Sequence, residues 1–247
     1  MKRFTIVTLF PEFIDSFRRT GIVRRCLESG LAAIDTVNPR DFAVNRRGNV
    51  DDSPYGGGPG MIMMVEPLRK AITAVKGDRP QGSHVVYLTP QGRRFDHRSA
   101  RDLGAYDHLI LIAGRYEGID QRVVERDVDS EWSVGDFVVS GGELPAMLMI
   151  DAIVRLLPGA LGDERSALED SFCEGLLDYP HYTRPERIDG QSAPPVLLSG
   201  DHRAIDRWRR MQRLGRTILK RPDLLEAETL DDDDQRLLEE FLEKSWE

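Results

Sequence analysis

A chain of 247 residues with 40% hydrophobic and 31% charged content is long enough for one large or two modest domains, in the balance of an ordinary globular protein. No run approaches the unbroken apolar length of a membrane span. The two cysteines and five histidines offer neither a disulfide framework nor metal-ligand spacing, so no membrane partner and a reducing cytoplasm are expected.

The start, Met1-Lys-Arg-Phe-Thr-Ile-Val-Thr-Leu-Phe10, is basic and then apolar. Thr5 and Thr8 interrupt it, Pro11-Glu12 closes it and no small-residue cleavage site follows, so Phe4 to Phe10 reads as a first strand rather than a signal peptide. Pro11 to Cys26 looks helical, with Phe13, Phe17 and Val23 among charged residues, and Glu28-Ser-Gly30 ends it. Leu31 to Val37 is a second strand. Asp41 to Gly60 is polar and glycine-rich. Its core, Ser53-Pro-Tyr-Gly-Gly-Gly-Pro-Gly60, lacks the Gly-Lys-Ser/Thr of a P-loop and misses the dinucleotide spacing, so it reads as a flexible loop. Met61 to Lys76 is predicted helical from Val65, Leu68, Ile72 and Val75, and Gly77-Asp-Arg-Pro80 breaks it. His84 to Thr89 is the next strand, closed by Pro90-Gln-Gly92, and Arg98 to Gly104 a short helix.

Leu109 to Ala113 is an apolar run without alternation, which predicts a strand buried on both faces. It runs into Gly114, Arg115, Tyr116, Glu117 and Asp120, and open α/β sheets build ligand sites at such strand C-termini. Phe137 to Val139 reads as a mini-strand, followed by Ser140-Gly141-Gly142, where backbone can approach a neighbour closely. Pro145 to Leu157 is a helix with apolar residues nearly all round, expected to be buried in the core or in a subunit interface. Within it Asp151 and Arg155 stand four apart and can pair. Gly159 to Gly175 reads as a linker, and from Leu176 onward the chain looks helical without strand signal. Strands alternate with helices through about residue 160, which implies an α/β class with a parallel sheet covered on both faces, followed by helices.

The net charge of −8 argues at first against nucleic acid, but its distribution points the other way. Asp223 to Glu247 carries 11 acids against 2 bases, so the rest of the chain is close to neutral. Arg203 to Arg221 carries eight bases against the single acid Asp206, with Trp208, Met211, Leu214 and Ile218 at helical spacing and most bases on the opposite, solvated face.

Gly114-Arg-Tyr-Glu-Gly-Ile-Asp120 and Ser133-Val-Gly-Asp-Phe-Val-Val-Ser-Gly-Gly-Glu-Leu-Pro145 resemble the signature blocks of bacterial tRNA (guanine-N1)-methyltransferases. Six further blocks resemble the family in order: Thr8-Leu-Phe-Pro-Glu12, Pro54 to Met61, Tyr87-Leu-Thr-Pro-Gln-Gly92, Glu169-Asp-Ser-Phe172, Tyr179 to Pro185, and Pro195 to His202. The acidic tail lies outside the resemblance. The resemblance implies a knotted methyltransferase of the SPOUT superfamily. Residues 1–160 would thread a C-terminal trefoil knot, which elementary topology disfavours. Residues 161–175 would be a flexible linker and 176–247 a small, all-helical tRNA-binding domain.

By the same resemblance, three loops hold S-adenosylmethionine: Tyr87, Leu88, Thr89 and Pro90; Gly114, Tyr116 and Glu117; and Val134, Gly135, Asp136, Phe137, Val138, Val139, Gly141 and Gly142. The reaction it implies is methyl transfer to N1 of the tRNA guanosine just 3′ of the anticodon, position 37. N1 carries a proton and is a poor nucleophile, so a carboxylate base suits the task and a cation can stabilise charge on O6. The family pattern puts these at Asp170 and Arg155. Read on their own, Asp170 is one linker acid among many and Arg155 a helix-end charge opposing the dipole. Arg209, Arg210, Arg213 and Arg216 would contact anticodon-arm phosphates. The resemblance further implies a homodimer with a shared active site, and magnesium dependence, for which the sequence offers no preformed ligand cluster. Two alternatives stand beside it: a knotted methyltransferase acting on ribosomal RNA, and a non-catalytic RNA-binding module.

Overall fold

The computed structural model describes residues 1–77, 82–162, 169–226 and 230–244. The chain divides into two units, Met1–Glu164 and Arg165–Glu247.

The first unit is built on five parallel strands: β1 (Lys2–Val7), β2 (Ala32–Val37), β5 (Ser83–Arg94), β6 (His108–Ile112) and β7 (Ser130–Ser133), in the order β2-β1-β6-β5-β7. β6 is the middle strand. Leu109 and Leu111 point to one face, against Phe4, Ile6 and Val86, while Ile110 and Ile112 point to the other, against Val7, Val85 and Tyr87. Both faces are covered, so the strand has no reason to alternate apolar with polar residues. Helices α1 (Glu12–Arg18), α2 (Gly21–Glu28), α4 (His97–Gly104) and α6 (Glu143–Val154) supply the first face. Helices α3 (Val65–Lys76) and α5 (Gln121–Asp127) supply the second.

Several boundaries differ from expectation. The single helix expected from Pro11 to Cys26 is two, because Thr20 is extended and Gly21 takes a φ of +62°, a turn that glycine adopts without steric cost. The helix expected from Met61 begins at Val65. Ile62–Met63 is instead a short strand, β4, paired antiparallel with Asp51–Asp52, β3. β5 does not close at Pro90. Pro90 has no N–H for the ladder, so the strand shifts register between Leu88 and Arg93 and then pairs with β7 again. Phe137 to Val139, expected as a mini-strand, is loop, with Val138 84% exposed. α6 buries Ala146, Met149, Ile150 and Ile153, but Leu144 and Leu148 remain exposed, so it is apolar all round without being buried all round. The helix-breaking turn expected at 77–80 lies largely outside the described residues.

The second unit carries helices α7 (Pro195–Leu198), α8 (His202–Lys220), α9 (Pro222–Glu226) and α10 (Asp232–Lys244). Its small core is Leu176, Leu214 and Leu225, with Ile218, Leu230, Leu237 and Leu238 packed around it. It is not all-helical: β8 (Arg187–Ile188) and β9 (Gln191–Ser192) form an exposed hairpin whose turn residues, Asp189 and Gly190, both have positive φ. Asp-Gly is the favoured pair for such a turn. The end of the expected linker, residues 169–175, belongs to this unit, and 163–168 lie outside the described residues.

Candidate active site

The ends of β5, β6 and β7 open onto one cavity of about 340 Å³, within the range of roughly 300–1,000 Å³ typical of small-molecule sites. Its wall comes mainly from three segments, Tyr87 to Gln91, Gly114 to Ile119, and Glu131 to Gly142 apart from Asp136, with Gln121, Val124 and Pro145 completing it. Every residue expected in the donor loops lines it except Asp136. Arg115 and Ser140, which the sequence places in the same loops, also line it, as does Glu131, which the sequence does not single out.

Glycines let these segments approach one another. A Cβ on Gly114 would lie 3.0 Å from the Tyr87 ring, and one on Gly142 would lie 2.6 Å from the Ala113 Cα. One on Gly141 would collide with the Arg115 guanidinium. Gly142 N donates to Gly114 O at 2.9 Å, which ties the third loop to the second. The glycine-rich loop closes the β3–β4 hairpin. That hairpin is fixed to the second segment, since Glu117 N donates to Met61 O at 3.0 Å and Met63 N to Gly118 O at 2.9 Å. Gly60 leaves room for the Glu117 side chain.

Tyr116 adopts a φ of +61°, rare for a non-glycine residue and costing on the order of 1–3 kcal/mol. Such strain clusters at ligand sites, and the Tyr116 side chain lines this one. Burial pushes the Tyr87 phenol above its ordinary range, so it stays neutral. Asp120 has a local role: it caps α5 by accepting from Arg122 N at 2.9 Å, and hydrogen bonding from Arg122 pulls its carboxyl below the usual range.

Behind the cavity stands Glu143, 1% exposed at the first turn of α6. Thr8 donates its hydroxyl to Glu143 Oε1 at 2.7 Å, and Arg115 Nη2 lies 2.9 Å from Oε2. The latter is an ion-pair contact rather than an aligned hydrogen bond, since Oε2 has no hydrogen-bond partner among the described residues. Arg115 Nη1 donates to Ser140 O at 3.1 Å, and the guanidinium sits 4.5 Å above the Phe10 ring.

Arg155, half-buried, is the residue that ends α6 in the first unit; Asp170, also half-buried, belongs to the second. The Asp170 turn is held within its own unit. Cys173 N donates to Asp170 O at 3.3 Å, Asp178 N to Ser171 Oγ at 2.9 Å, and Leu177 N to Thr217 Oγ1 of α8 at 2.9 Å.

The basic stripe on α8 is not a uniformly solvated face. Arg213 is 7% exposed and contacts Glu174 at 3.0 Å; Arg210 contacts Glu174 at 3.1 Å and also pairs with Asp234. Arg209 pairs with Asp206 and lies 4.9 Å from the Tyr179 ring, and Arg216 is half-buried. Acids from three places are the cause: Glu174 takes Arg210 and Arg213, Asp206 of α8 itself takes Arg209, and the acids of α10 lie along α8, with Glu240 on Arg207 and Asp234 on Arg210. Among the described residues, no group of three or more His, Cys, Asp or Glu is placed to hold a metal ion, and no helix is long and apolar enough to cross a membrane.

A parallel α/β unit with a glycine-walled cavity at its strand C-termini, joined to a unit carrying an arginine-rich helix, defines a class: a small-molecule-binding α/β protein with a separate, polar second unit. The chain belongs to the tRNA (guanine-1)-methyltransferase family, TrmD, whose model matches residues 1–227. It is 57% identical to a tRNA (guanine-N(1)-)-methyltransferase of Chromohalobacter salexigens, an alignment that covers 96% of this chain and 91% of that relative. It is 56% identical to the protein of the same name from Methylococcus capsulatus, over 97% and 95% of the two chains, and 54% identical to that of Proteus mirabilis, over 96% and 94%.

Proposed function

We propose that this chain transfers the methyl group of S-adenosylmethionine to N1 of guanosine 37 in tRNA, next to the anticodon, with Asp170 as general base and Arg155 as the cation that stabilises O6. The reaction class, tRNA guanine-N1 methylation by an enzyme, follows from the family and from the relatives' shared name. The observation that carries the donor site is the cavity at the strand ends, with all three loops in its wall.

The cavity fits a donor of this kind. It offers apolar surface from Leu88, Val134 and Pro145 for a nucleoside, and Glu117 and Glu131 add negative charge to a wall that would receive a sulfonium cation. When bound, the donor supplies an activated methyl group. The chain's own part is then to remove the N1 proton, hold charge on O6 and exclude water. In the step itself the sulfur–methyl bond breaks as the N1–methyl bond forms, and the N1 proton passes to Asp170. Reaching N1 requires the base to leave its stack. Arg209, Arg210 and Arg216 serve the phosphates of the anticodon arm, while Arg213, 7% exposed and paired with Glu174, holds together the unit that presents them.

The first unit threads its chain as a C-terminal trefoil knot, a reading that rests on the family resemblance. The protein works as a homodimer in which each active site draws on both subunits. Support comes from the apolar surface left exposed on the first unit: Leu144 and Leu148 on α6, Phe10 and Phe13 at α1, and Phe137 to Val139. Ribosomal RNA and a purely binding role are the less favoured readings, given the relatives' printed substrate.

The deciding measurement is transfer of labelled methyl from S-adenosylmethionine to unmodified tRNA carrying G37, beside the same tRNA carrying A37. Incorporation into the first alone is expected, and Asp170→Asn should abolish it while donor affinity stays within tenfold of wild type, about 1.4 kcal/mol. No incorporation by the wild-type protein, or equal incorporation into both RNAs, overturns the proposal.

A further inference from the structure

Glu143 is the least exposed charged side chain among the described residues that form the first unit's core. It does not itself line the cavity. Its two partners are Thr8, just past the end of β1, whose hydroxyl also accepts from Phe10 N at 2.9 Å, and Arg115 in the second wall segment, which joins it to the cavity. Arg115 faces two ways. One terminal nitrogen meets Glu143, and the other donates to the carbonyl of Ser140 in the third wall segment.

That second contact is unusual in what it holds. Residues 136–141 form neither helix nor strand. Among the described residues, the hydrogen bond from Arg115 is the one that ties this stretch to a different element, since Phe137 N reaches only Gly135 O. Gly141 lies against the same guanidinium so closely that no Cβ fits. The loop is thus shaped around Arg115, and Arg115 is aimed by a carboxylate that water does not reach. A negative charge at the first turn of α6 is itself favoured by the helix dipole.

We propose that Glu143, supported by Thr8, is a positioning residue for the donor site: its charge fixes Arg115, and Arg115 holds the 134–142 loop in the shape that binds S-adenosylmethionine. This deepens the proposed function and rests on the reading of the cavity as the donor site. The competing account is that Glu143 only fastens α6 to the sheet, and the two differ in what a mild change does.

Glu143→Gln keeps the shape and the bond from Thr8 but loses the charge that aims Arg115. Donor affinity is measured by calorimetry on the full-length protein, with thermal stability alongside. Val23→Ala, in the core at α2, serves as the control for lost stability without a change near the cavity. The expected result is a loss of donor affinity of fivefold or more in Glu143→Gln, a similar loss in Arg115→Lys, and no greater loss when the two are combined, because each acts through the other. The KM for tRNA should stay within twofold. Thr8→Ser, which retains a hydroxyl, should keep the affinity that Thr8→Val loses, and this pair decides the matter if Glu143→Gln does not fold. A smaller loss in Glu143→Gln, additive losses in the double variant, or an equal loss in Val23→Ala overturns the proposal. A wild-type protein that does not bind the donor would instead overturn the donor-site reading on which it rests.

Discussion

Arg213 of α8 and Glu174, four residues beyond Asp170, are joined by a 3.0 Å ion pair in which the arginine is almost wholly buried and the glutamate more than half exposed. The helix proposed to meet tRNA and the turn proposed to carry the general base are thereby parts of one packed unit, and Leu177 N on Thr217 Oγ1 fastens them a second time. Arg213 and Arg216 should therefore behave differently when removed. Arg213→Ala is expected to destabilise the second unit by about 2 kcal/mol, the scale of a charged hydrogen bond lost from a partly buried site. Arg216→Ala should leave stability nearly unchanged and lower the salt dependence of tRNA binding by about one ion. Denaturant unfolding and a binding series across salt concentrations separate the two; equal effects on both measurements would put Arg213 among the phosphate contacts and not in the core.

The glycines of the cavity wall should rank by what their missing side chains would strike. At Gly142 the obstacle is the Ala113 backbone, which cannot move without disturbing β6. At Gly114 it is the Tyr87 ring, which can give by a few tenths of an ångström. Gly142→Ala is expected to cost about 1–3 kcal/mol in overpacking and to abolish measurable donor binding. Gly114→Ala should weaken that binding without unfolding the protein. Calorimetry and thermal melts on both variants test the order, and the reverse order would mean that the third loop yields more easily than the aromatic wall.

Lys2 gives the fold a pH signature away from the active site. Its ammonium donates to the carbonyls of Leu103 at 2.9 Å and Gly104 at 3.1 Å, at the end of α4, and also contacts Tyr106 O. Burial nonetheless pulls its pKa from 10.5 to about 8, with Asp107 partly opposing the shift. Between those two values the unfolded chain holds a proton that the folded chain has released, so stability rises with pH across that window. Below about pH 8 both states are protonated and the slope from Lys2 vanishes. The gain should approach about 3 kcal/mol, seen as a rise in unfolding free energy between pH 8 and 10 that Lys2→Met lacks. Identical slopes in the two proteins would contradict the depressed pKa.

What the sequence made legible follows from which interactions are local. Leu109 to Ala113 announces β6 because a strand covered on both faces is apolar throughout, and Arg98 to Gly104 is legible as α4, although its cap, Asp96, which accepts from Ser99 N at 2.7 Å, is not read as one. β7 was invisible: Ser130-Glu-Trp-Ser133 is short and polar, and it is a strand only because β5 lies beside it. The β8–β9 hairpin did carry a signal, Asp189-Gly190, which the helical look of its surroundings outweighed. Glu143 reads as an ordinary acid at a helix start, and its burial depends on Thr8, 135 positions away. The arginines of α8 looked solvated because periodicity places residues on a helix face without revealing that the acids of α10 lie along it. Gly215 belongs with them: it sits in mid-helix where the Phe241 ring of α10 leaves no room for a Cβ.

The shared active site makes the most discriminating prediction, because it concerns which chain supplies which residue. Gly141→Asp should destroy the donor cavity, since any side chain there meets the Arg115 guanidinium. Asp170→Ala removes the proposed base and lies in the other unit. Each homodimer should be inactive. If an active site combines the cavity of one subunit with the Asp170 of its partner, a mixed dimer contains one site with both defects and one with neither. Its activity should then be about half that of wild type per dimer. If each site belongs to a single chain, every site in the mixed dimer keeps one defect and no activity returns. Co-expression with two different affinity tags and sequential purification isolates the mixed species, and methyl transfer to unmodified tRNA reads the outcome. A purified mixed dimer that stays inactive would exclude sharing, and failure to isolate any mixed species from a protein that runs as a monomer would exclude the dimer itself.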